Sequence, residues 1–195
     1  IRAVVGLSRH VKEGTVSLRG ESAAARIPAT FARVGYVSDS AGDLLSEFTA
    51  REYWNYCRIA HERASKESVH DWDQRAEDLA ASLDLVVVKQ PISSLSLGTA
   101  RKVQIVAALL PGPEVLILDE PFIGLDFLAA RTFESLLATV RDQGTTVLAS
   151  SHDLDLADRL LVLHRGALVL DERTAQLGHN LEDTVQGVLA EARAK

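Results

Sequence analysis

Methionine is absent from this sequence, and cysteine occurs once, at Cys57. A single cysteine excludes an internal disulfide and fits a reducing compartment. The missing initiator predicts that Ile1 lies inside a longer chain. No apolar run approaches the ~20 residues that a helix needs to cross a bilayer, and Ile1-Arg2-Ala3-Val4-Val5-Gly6 has the character of neither signal peptide nor anchor. The expectation is therefore a soluble, cytosolic chain. Basic stripes are lacking too. Lys and Arg total 21 against 27 Asp and Glu, a net charge of −6. Binding to nucleic acid through counterion release needs clustered cations, so nucleic acid is not an expected partner. Internal repeats and low-complexity segments are also missing.

What is present is apolar mass: 47% of the 195 residues are hydrophobic, enough to bury the core of one domain with a subdomain. Glu13 to Gly20 and Arg33 to Val37 read as two short strands with glycine punctuation. Thr49 with Glu52 three residues on makes a capping box, and Tyr53, Tyr56, Cys57 and Ala60 follow at helical spacing. From about Ser46 to Pro91 the chain reads as helical and charged, with Asp71, Asp73, Glu77 and Asp78 on a solvated face. Trp54, one position off the expected stripe, is predicted to be exposed and to mark an interface. Packing of Trp54 beneath the charged Ser65 to Asp78 segment is the alternative.

Beyond Pro91, Val103, Val106, Ala107 and Leu110 form a helical stripe that Pro111-Gly112-Pro113 ends. Val115 to Leu118 then reads as a buried parallel strand. Phe133, Leu136, Leu137 and Val140 mark another helix, Gly144 stops it, and Thr145 to Ala149 is a further strand. Strand, helix, strand predicts a crossover unit in an α/β sheet. Leu160 to Leu163 and Ala167 to Leu170, joined by Arg165-Gly166, read as a hairpin.

Four positions carry chemistry. Val115-Leu116-Ile117-Leu118 delivers Asp119 and Glu120 to the carboxyl end of a buried strand, where open α/β sheets bind ligands. Alone, such a pair is as readily the start of a loop. Leu95-Ser96-Leu97-Gly98-Thr99 precedes the Val103 helix, so Ser96, Gly98 and the free N–H groups make an anion site. Alone, Ser96 is an ordinary helix cap. Gly124-Leu125-Asp126 follows the carboxylates, and His152 follows the Thr145 to Ser150 strand; a lone strand-end histidine is usually structural.

In this order and spacing the four resemble the ATP-binding-cassette (ABC) family, and the bacterial exporter (ABC-2-like) type within it. Leu95 to Gly98 resembles the signature L-S-x-G, Asp119-Glu120 the end of the Walker B segment, Asp126 the D-loop and His152 the switch histidine. Val34-Gly35-Tyr36-Val37-Ser38-Asp39 is similar to the strand that enters the family's Q-loop. The resemblance implies one P-loop NTPase-like α/β domain over 1–195, truncated at its amino terminus, with a mixed sheet flanked by helices. A helical subdomain is inserted at 42–95.

The sequence departs from the family pattern in places. No G-x-x-x-x-G-K-[ST] occurs, although Ile1 to Leu7 resembles the end of the helix that follows that loop, which places the missing part upstream. Without that cradle the stretch alone should bind nucleotide poorly. Asp39 stands where the family usually has Gln, and Leu97 replaces the usual first glycine of the signature. The run from His152 to Gly166 is short for the helix expected there.

The resemblance implies ATP hydrolysis powering export through a separate transmembrane permease subunit, at the cytoplasmic face of the cell membrane. Asp119 would hold Mg²⁺, Glu120 would take the proton of the attacking water, and His152 would contact the γ-phosphate. Asp39 would bind metal or orient water, while Ser96 and Gly98 would close over ATP held by a second ATPase subunit, with Asp126 at the junction. Two other readings are a soluble ABC-superfamily ATPase of DNA repair or translation, and a nonhydrolysing nucleotide-gated regulator.

Overall fold

The computed structural model describes residues 1, 4–5, 7, 13–18, 20–22, 27–40, 45–151, 157–177 and 180–194. The chain falls into two compact units, Ile1–Ser150 and Ser151–Lys195.

The first unit is built on three parallel strands in the order β3 (Val34–Val37), β4 (Val115–Asp119), β5 (Thr146–Ser150). Val34 pairs with Val115 and Val115 with Thr146, so the three strands share one register and end at one edge. Leu116, Ile117 and Leu118 are almost fully buried, as a strand covered on both faces requires. The crossover from β4 to β5 runs through α5 (Phe127–Asp142), as the sequence predicts. Ahead of this sheet, β1 (Ser17–Leu18) and β2 (Glu21–Ser22) pair antiparallel about Gly20, whose φ of +82° suits the turn. The strand expected over Glu13 to Gly20 is thus two residues long, because the chain reverses at its glycine. A short helix α1 (Pro28–Phe31) leads into β3.

Helix α4 (Leu97–Leu109) forms the centre of this unit. It is buried nearly all round, from Ala100 through Leu109, and packs against β3 and against α2 (Ala50–Ser65) and α3 (Trp72–Ser82). Gly35 lets β3 approach it, since a Cβ there would lie 2.5 Å from the Ala108 carbonyl oxygen.

Helix α2 begins where the capping box places it. Glu52 N–H bonds back to Thr49 Oγ1 at 3.3 Å, and Thr49 N–H donates to Glu52 Oε2 at 2.8 Å. That N–H bond holds the Glu52 carboxyl below its ordinary pKa. Thr49→Ala is expected to cost about 1 kcal/mol, read as a lower urea midpoint at unchanged slope; an unchanged midpoint would show that the cap contributes nothing.

The buried face of α2 differs from the predicted one. Ala50 and Trp54 are buried and Cys57 and His61 partly so, whereas Tyr56 is 53% exposed. Trp54 is 2% exposed, and its indole N–H donates to the Val103 carbonyl at 3.0 Å. The expectation that Trp54 marks an interface is therefore wrong. The stripe runs through 50, 54, 57 and 61, one helical step round from the one that Tyr53, Tyr56, Cys57 and Ala60 suggested. Burial pushes the Cys57 thiol, which both stripes share, up to about 11. On α3, Asp73 and Asp78 are exposed and Glu77 pairs with Arg51, in keeping with a solvated charged face.

The second unit is a hairpin of β6 (Arg159–His164) and β7 (Ala167–Arg173), with α6 (Leu181–Ala194) packed on both strands. Arg165 and Gly166 both have positive φ, at 50° and 82°, the backbone that a two-residue hairpin loop demands. Arg159 grips Asp171 through two bonds of 2.6 and 2.8 Å, which hold that carboxyl below its ordinary pKa.

Candidate functional site

The shared register ends β4 at Asp119 directly opposite Ser150 of β5. Ser150 Oγ donates to Asp119 Oδ1 at 2.7 Å and accepts the Glu120 N–H at 2.9 Å. One hydroxyl thus orients the first carboxylate and fixes the backbone of the second. Glu120 has φ of 46°, a left-handed conformation that costs a non-glycine residue of order 1–3 kcal/mol and is retained where surroundings enforce it. Here the surroundings include the Ser150 bond and the Ile123 N–H, which reaches the Glu120 carbonyl at 3.3 Å. Both carboxylates are partly exposed and stand at the end of an otherwise buried strand.

Ser96 is the N-cap of α4: its Oγ accepts the Thr99 N–H at 3.2 Å and lies 2.8 Å from Thr99 Oγ1. The signature-like loop also touches the segment after Glu120. A Cβ on Gly98 would fall 2.5 Å from the Gly124 carbonyl oxygen, so only glycine allows that approach. A Cβ on Gly124, whose φ is +86°, would fall 2.7 Å from Leu97 Cγ. Leu97, the departure from the family's signature, is accommodated by the bare backbone of Gly124. Asp126 is exposed and caps α5, its Oδ1 accepting the Ala129 N–H at 2.8 Å. One of its two carboxylate oxygens is thereby committed to the fold.

Asp39 is exposed just beyond β3, and its carbonyl accepts a bond from Arg101 Nη2 at 2.9 Å. Arg101 is fully buried in α4. It also donates to the Ser38 carbonyl, to Gln104 Oε1 at 2.8 Å and to the Ile123 carbonyl at 3.4 Å. Gln104 Nε2 in turn donates to Ser38 Oγ at 3.0 Å. Burial pulls the guanidinium below its ordinary pKa, and the charge of Asp39 opposes that pull.

The structure thus brings Asp119 and Glu120 together at one strand end, sets Gly98 against Gly124, and ties Asp39 to the signature helix through its main chain. His152 lies outside the described residues. Ser38, Arg101, Gln104 and Ser150 join the site without having been singled out in the sequence. A charge inside the apolar run of α4 was the available signal for Arg101. Among the described residues no cluster of three or more His, Cys, Asp or Glu gathers to hold a metal by itself. Asp119 nonetheless fits Mg²⁺, an ion commonly held by one or two carboxylates together with water and substrate phosphates.

A family model described as ABC transporter matches residues 1–123, more than half of the chain. The Nod factor export ATP-binding protein I of Sinorhizobium fredii is 32% identical over 180 residues, covering 88% of this chain and 50% of that protein. A putative ABC transporter ATP-binding protein of Bacillus cereus is 26% identical over 196 residues, covering 97% of this chain and 34% of its own length. The chain thus spans half or less of the length of these curated relatives. Among solved structures, an ATP-binding subunit of an ABC transporter superposes with a TM-score of 0.85 at 23% identity, covering 96% of this chain and 81% of that one. A dimeric ATP-binding cassette in a post-hydrolysis state, bound to ADP and Pi, superposes at 0.70 and 20% identity, covering 83% and 74%. The fold is that of the ABC ATPase cassettes, and the chain belongs to the ABC transporter family.

Proposed function

We propose that this chain is part of the ATP-hydrolysing subunit of an ABC transporter of the exporter type. The Ser150 bridge between Asp119 and the left-handed Glu120 carries the reading. It fixes two adjacent carboxylates at one strand end: Asp119 accepts from the hydroxyl, and the backbone of Glu120, bonded to the same hydroxyl, turns out of the strand. In this reading water attacks the γ-phosphate in line, and the protein supplies position and charge rather than a covalent step. Glu120 accepts the proton from the attacking water. Asp119 would hold Mg²⁺, which neutralises phosphate charge when bound. Asp39 and His152 complete the polar surround of the γ-phosphate. The names of the relatives, all ABC transporter or export ATP-binding proteins, favour transport over repair, translation or regulation.

Two copies, or this chain and a second ATPase subunit, are needed in this reading, with Ser96 and Gly98 of each closing over nucleotide held by the other and Asp126 at the junction. Ile123, Phe127 and Leu128 are exposed, at 49%, 78% and 71%, and the exposed Leu97 lies against Gly124, apolar surface suited to such a junction. The helical insert over 42–95 serves as the subdomain that meets a transmembrane permease, at the cytoplasmic face of the membrane. Its exposed aromatic is Tyr56, which meets Phe48 edge to face at 6.3 Å, rather than Trp54. Among the described residues no helix is long and apolar enough to cross a membrane.

The test is Ser96→Arg in the full-length protein carrying Glu120→Gln. ATP binding by the separate subunits is expected to persist while ATP-dependent dimers disappear from sedimentation profiles, because the cation fills the partner's phosphate pocket. Dimers that still form with ATP would remove Ser96 from the junction.

A further inference from the structure

Arg101 is an unusual residue to bury. Position 101 lies between Ala100 and Val103 in a helix packed on all sides, where an aliphatic side chain would fill the space without surrendering the hydration of a charge. Its four bonds go to carbonyl oxygens, three of them main-chain groups of two separate loops. Ser38 and Asp39 belong to the loop after β3, and Ile123 belongs to the loop after Glu120, whose carbonyl the Ile123 N–H binds. A planar guanidinium presents its donors at fixed angles, so the spacing of these carbonyls is set by one rigid group. Three residues upstream on the chain, Gly98 brings the same helix against the Gly124 carbonyl.

We propose that Arg101 is a positioning residue that clamps the Asp39 loop, the signature end of α4 and the Ile123–Gly124 loop into one body. A displacement of the Asp39 loop is then delivered to Ser96 and to the backbone beside Glu120. The clamp itself stands on geometry; its consequence for turnover rests on the ATPase reading above. Lys at this position keeps the charge but has a single ammonium on a flexible stem, which cannot span both loops.

Two measurements on the full-length protein decide it. In Arg101→Lys, amide hydrogen exchange is expected to rise together in peptides covering 38–40 and 122–126, while β4 stays protected. Exchange unchanged in either loop overturns the clamp. In the same variant kcat for ATP should fall by about tenfold or more with KM held within about twofold, the pattern of misplaced groups rather than lost binding. Its effect should also be non-additive with that of Asp39→Asn. Additive effects, or a kcat that falls only in proportion to unfolded protein, would reduce Arg101 to a packing residue. If Arg101→Lys does not fold, Gln104→Leu removes the side-chain bond to Ser38 Oγ and one acceptor of Arg101, and touches nothing on the Ile123 side. It should then loosen 38–40 and leave 122–126 protected; any other pattern overturns the clamp. A wild-type protein that hydrolyses no ATP overturns the proposed function, and the exchange result still decides the clamp.

Discussion

Replacing Glu120 by Gln in the full-length protein is expected to preserve ATP binding and to lower turnover by at least about a hundredfold, the lower range for losing a positioned general base. Glutamine keeps the volume and the polar contacts but cannot accept a proton at neutral pH. Because the backbone of residue 120 is held by Ser150 and Ile123, the substitution should leave the loop where it is. Stability should therefore change little, and the loss should fall on kcat. The companion Asp119→Asn should behave differently, weakening Mg²⁺-dependent ATP binding. It also alters the carboxylate to which Ser150 donates, so some disorder at Glu120 should follow. Near-normal hydrolysis by Glu120→Gln would remove Glu120 as the base.

Trp54→Ala should be the most damaging substitution to the fold. The ring is 2% exposed, lies between α2 and α4, and its N–H bonds the Val103 carbonyl. Emptying such a site costs about 3–5 kcal/mol from lost transfer energy and the remaining cavity. Against a total stability of roughly 5–15 kcal/mol, that is at least about a fifth of the margin. At about 2–4 °C per kcal/mol for a chain of this size, Tm should fall by roughly 10 °C. Trp54→Phe should lose less, chiefly the hydrogen bond, at about 1 kcal/mol. Thermal melts of the two variants separate the terms. An unchanged Tm for Trp54→Ala would mean that the indole contributes little to the core.

The misplacement of Trp54 shows where sequence patterns stop. Tyr53, Tyr56, Cys57 and Ala60 fit a helical period as well as Ala50, Trp54, Cys57 and His61 do. A period gives the width of an apolar stripe but not its phase, when large side chains sit on both candidate faces. The partner helix chose, by offering the Val103 carbonyl to one face. α6 was missed for the opposite reason. Its half-buried positions Leu181, Val185, Val188, Leu189 and Ala192 do follow a helical period, so the signal is present in the sequence.

What the sequence determined by itself is what near neighbours along the chain decide. Thr49 and Glu52 cap α2 across three residues, Arg165-Gly166 turns the hairpin, and four apolar residues carry Asp119-Glu120 to a strand end. Each depends on local sterics, hydrogen bonding or a short run of burial, so each is written in consecutive letters. Tertiary structure alone decided the partners of those carboxylates and loops. Ser150 reaches Asp119 across 31 residues, Trp54 reaches Val103 across 49, and Arg101 reaches Ser38 across 63. Such pairs form because parallel strands share a register and a buried helix packs on the sheet, and no residue in either partner announces the other until the chain is folded.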